Sequence, residues 1–397
     1  MAAPVSAPPL VQRVLSRRAQ EVGHGFPKQT SVPTPGLLTL SSGTPDFPTP
    51  PHVIAAAKQA LDQGRTVYTP WAGLMDLRRG IAAKLARENG ITADPETEVL
   101  VTTGAQEAML ITLQTLLDPG DEILIHTPYY DEYRRDTLIA GGTLVTVPTY
   151  EADNFAINVR EVEKRLTPRT KALIVVSPSN PTGAVQPRSS LEAIAQLAQE
   201  RDLLVISDEL YERFVYDDNR HLSLASLPGM WERTITINGF SKCYSMTGWR
   251  VGYIAAPAPL IQAMLPFKHA MSICAPSVSQ YAALAGITSP TDWFAPVLAE
   301  YDRRRGVWMK ALDEMGLSYS KPQGAYYVYV NVSATGLTGA EFSKLLRDEY
   351  GVVLGSGSNL GEETKYYLRG SLATPMEELR PGLERVAEAV ARCRAGR

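Results

Sequence analysis

The sequence predicts an α/β fold, a large domain on a seven-stranded, mostly parallel sheet with a smaller α+β domain after it. Three observations carry this. Between about 98 and 256, short β-rich runs alternate with segments of helical periodicity, as successive βαβ units require. Beyond Pro257 the alternation stops, and a long helical pattern is followed by mixed short runs. The chain has 397 residues, more than one core usually supports, so a second unit is expected.

Taken in order, residues 1–46 read as an N-terminal arm and the first part of the small domain, 47–287 as the large domain and 288–397 as the small C-terminal domain. Pro4, Pro8 and Pro9 make the start of the arm a poor helix. Arg13, Arg17 and Arg18 precede the first acidic residue, Glu21, a faint likeness to a transit peptide; a tail followed by an arm that packs on a partner is the plainer reading. Residues 37–51 read as a short strand running into a proline-rich crossing, where Gly43 lets the backbone approach a ligand. Apolar Val53, Ile54, Ala57 and Leu61 mark a helix over 52–63 that Gly64 ends, and a second helix over 77–89 is closed by Gly90. The loop between them carries Tyr68 and Trp71.

The strand-like runs of the large domain fall at 98–102, 122–125, 143–147, 172–176, 203–207, 234–237 and 251–255. In the small domain a helix is expected over 292–312, with Arg303, Arg304 and Arg305 on a solvated face, and another over 340–350. Strand-like runs surround the second helix at 324–331, 351–355 and 365–373.

Composition narrows the function. Apolar residues make up 44% and charged ones 20%, with a net charge of −3, so no nucleic-acid partner is expected. The three cysteines, Cys243, Cys274 and Cys393, form no CxxC pair, which argues against a disulfide framework and a zinc site and for a reducing, cytoplasmic setting. No metal site is expected. No apolar run approaches the about 18 residues that a membrane span needs.

In open α/β sheets, ligands bind beyond the carboxyl ends of the strands. After the run at 98–102 come Gly104, Ala105 and Gln106, a glycine turn opening a helix whose free N–H groups can seat a phosphate. Tyr130 follows the second run and offers an aromatic face. Asn180, in an Asn-Pro-Thr-Gly turn, follows the fourth, and Asp208 and Tyr211 follow the fifth, a carboxylate and a phenol within reach of one ligand. Lys242 follows the sixth, with Arg250 eight positions on. A lysine made neutral by burial forms a Schiff base with a carbonyl, and the arginine fork holds a phosphate. A phosphate seat, a stacking ring, an amide, an acid with a phenol and an amine complement the parts of pyridoxal 5′-phosphate one for one.

The blocks Gly43-Thr-Pro-Asp-Phe, Tyr68-Thr-Pro-x-x-Gly, Thr-Gly-Ala at 103–105, Asp118-Pro-Gly-Asp121, Asn180-Pro-Thr-Gly, Ser207-Asp208-Glu-x-Tyr211, Ser241-Lys242, Thr247-Gly-Trp-Arg250 and Leu368-Arg369-x-Ser-x-Ala occur in this order over nearly the whole chain. In them the chain resembles the class I and II aminotransferases, the aspartate-aminotransferase-like branch of the fold type I pyridoxal-phosphate enzymes. The resemblance implies a homodimer with active sites shared at the interface. It implies that Lys242 binds the cofactor aldehyde and then moves the proton at the substrate Cα as general base and acid. Asp208 would hold the pyridinium nitrogen, Tyr211 and Asn180 the phenolic oxygen, and Tyr130 would stack on the ring. The backbone of Gly104, Ala105 and Gln106, with Ser241 and Arg250, would hold the phosphate, which Tyr68 would reach from the neighbouring subunit. Arg369 would clamp the substrate α-carboxylate, helped by Asn180 and the Gly43 backbone.

Three positions depart from the family pattern. Gly239 stands where relatives often have a serine, Ser41 where many have glycine, and Gln106 where bacterial aspartate and prephenate enzymes have a lysine for the distal carboxylate. The absent lysine weighs against acidic substrates. Trp71, Tyr130 and Tyr327 suit an apolar or aromatic side chain, so a neutral or aromatic amino donor with a 2-oxo acid acceptor is expected. The alternative is a carbon–sulfur β-lyase or an aminocyclopropane-carboxylate-synthase-like elimination on the same cofactor. A second alternative, an aminotransferase-like regulator, needs a DNA-binding module before the fold, and the residues before Gly43 are too few and too proline-broken for one.

Overall fold

The structure is a computed structural model and describes residues 14–23, 36–357 and 362–395; Pro4, Pro8, Pro9 and Arg13 lie outside the described residues. After a short first strand, β1 (Leu38–Thr39), come β2 (Val99–Thr102), β3 (Glu122–His126), β4 (Thr143–Val147), β5 (Thr170–Val176), β6 (Leu204–Asp208), β7 (Thr234–Gly239) and β8 (Gly252–Ala255). The last seven form one sheet in the order β2-β8-β7-β6-β5-β3-β4, in which β8 alone runs antiparallel to its neighbours. Each sequence-predicted run is one of these strands. The Val- and Ile-rich strands β2, β3, β7 and β8 are buried throughout because helices cover both faces, whereas the edge strand β4 is only partly covered.

The second sheet is antiparallel, in the order β12-β13-β10-β9, from β9 (Ser318–Ser320), β10 (Tyr327–Asn331), β12 (Gly355–Ser356) and β13 (Tyr367–Ser371). Between them β11 (Val352–Val353) pairs in parallel with β1, which ties Leu38 and Thr39 to this part of the chain. One hydrophobic cluster runs through both units, from Leu40, Val53 and Leu77 to Tyr326, Trp308 and Val390. Among the described residues, no helix is long and apolar enough to cross a membrane.

Several expectations change here. The helix at Met75–Lys84 passes into a wider turn, Leu85–Asn89, before Gly90, and that turn brings Lys84 and Asn89 to one buried polar cluster: the Lys84 Nζ donates to Asn89 Oδ1 at 2.7 Å. The helices Ala258–Ser272, Ser277–Thr288 and Met376–Ala395 have no counterpart in the sequence reading, and the first and last carry Pro266 and Pro381, which break a helical pattern on paper. Arg304 and Arg305 do not lie on a solvated face. Both are buried within the helix Phe294–Met315, Arg304 paired with Asp46 at 2.9 Å and Arg305 with Asp217 at 2.7 Å, while Arg303 stays exposed. A basic triplet on a helix reads as solvent-facing until acids from distant segments are seen to meet two of its members.

Candidate active site

A cavity of about 390 Å³ lies beyond the carboxyl ends of the parallel strands. Ala105 and Gln106 reach it from the turn after β2, Tyr130 from the turn after β3, Asn180 from the turn after β5, Asp208 from the end of β6 with Tyr211 just beyond, and Ser241, Lys242 and Arg250 from the β7–β8 connection. Gly43, Tyr327 and Arg369 also line it. The site therefore collects residues from Gly43 to Arg369 along the chain.

The Lys242 amine donates to the Gly43 carbonyl at 2.6 Å, and the Tyr326 hydroxyl donates to the same oxygen at 2.7 Å. Burial first, then the guanidinium groups of Arg369 and Arg250, hold the Lys242 pKa below that of an ordinary lysine, against the opposing pull of Tyr327 and Asp208. Asp208 accepts from the Tyr133 hydroxyl at 2.9 Å and from the Leu210 amide at 3.1 Å. Its burial outweighs both bonds and raises its pKa above the usual carboxylate value. The Tyr211 and Tyr327 hydroxyls lie 2.9 Å apart, and burial raises the Tyr211 pKa well above that of a free phenol.

Arg369 donates to Asn180 Oδ1 at 3.0 Å and to the Ser41 carbonyl at 3.2 Å, with its guanidinium 4.6 Å from the centre of the Tyr327 ring. Its Nε is buried without a hydrogen-bond partner. At the other end, Arg250 adopts φ +55° and donates to the Thr247 carbonyl at 3.0 Å. Gly104, at φ +78°, has no room for a side chain, since a Cβ there would stand 2.6 Å from Arg250 Nη2. A Cβ on Gly252 would meet the Gly104 and Ala105 backbone at 2.6 and 2.7 Å, so both glycines are needed for the arginine to sit beside the helix start. Gly239 pairs with Gly252 across the hairpin, and a Cβ there would lie 3.0 Å from the Gly252 Cα. A serine at 239 would thus crowd the strand pair, which gives the departure from the family pattern a packing reason.

Two sequence-predicted residues lie elsewhere. Trp71 is 53% exposed and packs on His269, 4.4 Å between ring centres, so it is no part of the side-chain pocket of its own chain. Tyr68 is 77% exposed and borders a separate, mostly apolar groove with Cys274 and Pro276. Sequence reasoning gave no role to Tyr133, Tyr326 or Asp136. Tyr133 had a signal, since it sits one helical turn beyond Tyr129 and Tyr130 on the same strand-end segment. Cys243, beside the lysine, is a buried packing residue whose thiol is pushed up to about 11 by burial.

Behind Asp208, Glu209 is buried with hydrogen bonds from Ser207 at 2.8 Å, Ser223 at 2.5 Å and Asn89 at 3.1 Å, and with His221 Nε2 at 3.0 Å. Glu209, Glu212 and His221 lie close enough together for metal ligands. Lys84, though, already donates to Glu212, so the cluster is a self-contained ion-pair network.

The profile of the family "Aminotransferase class I and II" matches residues 35–386. The chain belongs to the class I and II aminotransferases. It is 47% identical over 352 residues to an aspartate aminotransferase of Pyrococcus abyssi, which covers 88% of this chain and 90% of the relative. It is 44% identical to aromatic-amino-acid aminotransferase 2 of Thermococcus litoralis, over 88% of this chain and 91% of the relative. The crystal structure of an aromatic aminotransferase from Pyrococcus horikoshii superposes with a TM-score of 0.88 at 46% identity, covering 90% of this chain and 97% of the other. This aminotransferase therefore has the fold type I architecture that its sequence motifs imply, and the relatives are named as transferases rather than lyases.

Proposed function

We propose that this aminotransferase uses pyridoxal 5′-phosphate, works as a cytoplasmic homodimer with shared active sites, and moves an amino group from a neutral or aromatic L-amino acid to a 2-oxo acid. The single observation that carries the reading is one cavity lined together by Lys242, with a lowered pKa, a buried Asp208 and two arginines, Arg250 and Arg369. The residues fit the cofactor. Its phosphate suits the turn that Gly104 and Gly252 keep open beside Arg250, and an orphaned Arg369 Nε suits a carboxylate at the other end. Domain boundaries at 1–46, 47–287 and 288–397 belong to the same proposal.

In this reading the Gly104, Ala105 and Gln106 backbone, Ser241 and Arg250 hold the phosphate, together with Tyr68 of the partner subunit. Asn180 and Tyr211 hold the phenolic oxygen, Tyr130 covers the ring and Asp208 holds its nitrogen. When bound, the cofactor supplies an aldehyde to receive the amino group and an electron-withdrawing ring to accept the electron pair left at the substrate Cα. Lys242, whose pKa burial lowers, removes the Cα proton and keeps it for return. The Gly43 carbonyl, which also accepts from the Tyr326 hydroxyl, positions its amine. Arg369, fixed by Asn180 and the Ser41 carbonyl, orients the α-carboxylate so that the Cα proton faces the lysine.

The test is a half-reaction screen in which the cofactor-loaded protein is mixed with each amino acid in turn and its visible absorbance followed. Neutral and aromatic amino acids should convert it. Loaded protein that no amino acid converts would overturn the reading.

A further inference from the structure

Thr103 immediately precedes the helix Gly104–Leu116, yet its side chain does not cap that helix. At this position a threonine hydroxyl ordinarily accepts from an amide of the first turn. Here it is committed elsewhere: it accepts from the Lys268 amine at 3.3 Å and donates to Ser272 Oγ at 3.4 Å. The Thr103 backbone N–H is held as well, donating at 2.5 Å to Glu107 in the first turn of the same helix. The start of the helix is thus tied down from the side of Glu107 and Lys268.

Lys268, on the helix Ala258–Ser272, donates to Glu107 at 2.7 Å and to Ser272 Oγ at 2.6 Å. With Thr103 that makes three acceptors, the number of N–H groups on an ammonium. Ser272 in turn donates to Glu107 at 2.5 Å, so each polar hydrogen of the cluster has its acceptor. Burial by itself would raise the Glu107 pKa, but the bonds from Lys268, Ser272 and the Thr103 amide outweigh it and hold the acid below the usual carboxylate value. Burial lowers the Lys268 pKa against the pull of Glu107. The Lys268 side chain has no exposed surface and that of Glu107 is 10% exposed within a single chain, so the pair is complete in one subunit. A buried ion pair adds little net stability, because desolvation offsets the attraction, and stability alone gives this one little reason to exist.

We propose that Lys268 is a positioning residue for the cofactor phosphate, acting through Glu107, whose carboxylate fixes the Thr103 amide and whose charge Lys268 cancels. The helix start then carries neither a side-chain cap nor a net negative charge when a phosphate arrives. This rests on the reading of the turn at Gly104 beside Arg250 as the phosphate seat. Without Lys268, the Glu107 carboxylate repels a phosphate dianion at the same turn; without Glu107, the ammonium attracts it. The two residues therefore act on phosphate in opposite directions, whereas a purely structural pair fails alike when either member is removed.

The experiment titrates the unloaded full chain with pyridoxal 5′-phosphate and with pyridoxal, which lacks the phosphate, and follows the visible absorbance for the wild type, Lys268→Met and Glu107→Gln. The ratio of the two affinities isolates the phosphate from any general loosening of the fold. In Lys268→Met that ratio should fall at least about tenfold, with pyridoxal affinity within about threefold of wild type. In Glu107→Gln it should hold or rise. Each variant carries the test by itself, so a failure of one to fold leaves the other decisive. An unchanged ratio in Lys268→Met, or a ratio that falls in Glu107→Gln, overturns the positioning proposal alone. A wild type that binds pyridoxal as tightly as pyridoxal 5′-phosphate overturns the reading of the phosphate seat instead.

Discussion

The Tyr133 hydroxyl donates to the Asp208 carboxylate at 2.9 Å, joining two buried residues that lie 75 positions apart. Asp208 has a raised pKa because burial penalises its charge, and this bond works in the opposite direction. Removing it leaves the acid with one donor fewer, the Leu210 amide at 3.1 Å remaining. Tyr133→Phe is therefore expected to shift Asp208 further toward its protonated form. A hydrogen bond to a charged group contributes roughly 1.5–3 kcal/mol, so cofactor affinity in an absorbance titration should fall about tenfold or more. Unchanged affinity would show that Asp208 does not need this donor.

The turn that receives Arg250 depends on the absence of side chains. A Cβ on Gly252 would lie 2.6 Å from the Gly104 carbonyl carbon, a contact no flexible side chain can relieve. Gly252→Ala should lower stability by about 1–3 kcal/mol, the usual cost of overpacking, and loosen the cofactor more than it lowers Tm. Circular dichroism melts of the unloaded and loaded protein separate the two effects.

Arg369 reaches Asn180 at 3.0 Å and keeps a buried, unpartnered Nε. If it clamps the α-carboxylate, Arg369→Lys loses the bidentate fork but retains the charge, and every amino donor should lose at least about tenfold in kcat/KM. The loss should be similar for aspartate and phenylalanine. A loss confined to one donor class would move Arg369 from the common clamp to the side-chain pocket.

Asp136 makes stability depend on pH. Burial and then Glu132 raise its pKa from 3.8 to about 7 in the folded chain, so on unfolding it returns to the lower value. The unfolded chain then releases the proton first as pH rises. Its contribution to stability is complete below about pH 4, declines as pH rises and is lost above about pH 7, a total of roughly 4 kcal/mol by linkage. Asp136→Asn removes this slope. The Tm of the variant minus that of the wild type should therefore grow between pH 5 and pH 8, and a difference that is flat or shrinks over that range would contradict the assignment.

The sheet was legible because its strands are apolar runs of ordinary length separated by helical periods, and each run from 98 to 255 became a strand. Lys242, Asp208 and Asn180 were legible because strand-end positions are where an open α/β sheet exposes chemistry, whereas Arg369, inside β13 of the second sheet, was legible only through the family motif; the structure brings all four to one cavity. What the sequence hid is long-range pairing. Nothing local shows that Asp46 meets Arg304, that Gly43 receives Lys242, or that Gln106 turns its amide to Asp136. The helices with Pro266 and Pro381 were hidden for a different reason, since packing on the core overrides a local proline penalty. Trp71, assigned to the pocket by residue type, does not line the cavity of its own chain and packs on His269 at half exposure.

The central claim is that Lys242 is the amine through which this aminotransferase binds its cofactor and moves the substrate proton. The measurement is the visible absorbance of wild type and Lys242→Ala after loading with pyridoxal 5′-phosphate, recorded before and after addition of phenylalanine. The wild type should be yellow and lose its band on mixing, whereas Lys242→Ala should lack the wild-type band and show no conversion. A Lys242→Ala protein that keeps the band and still transfers the amino group would contradict the account.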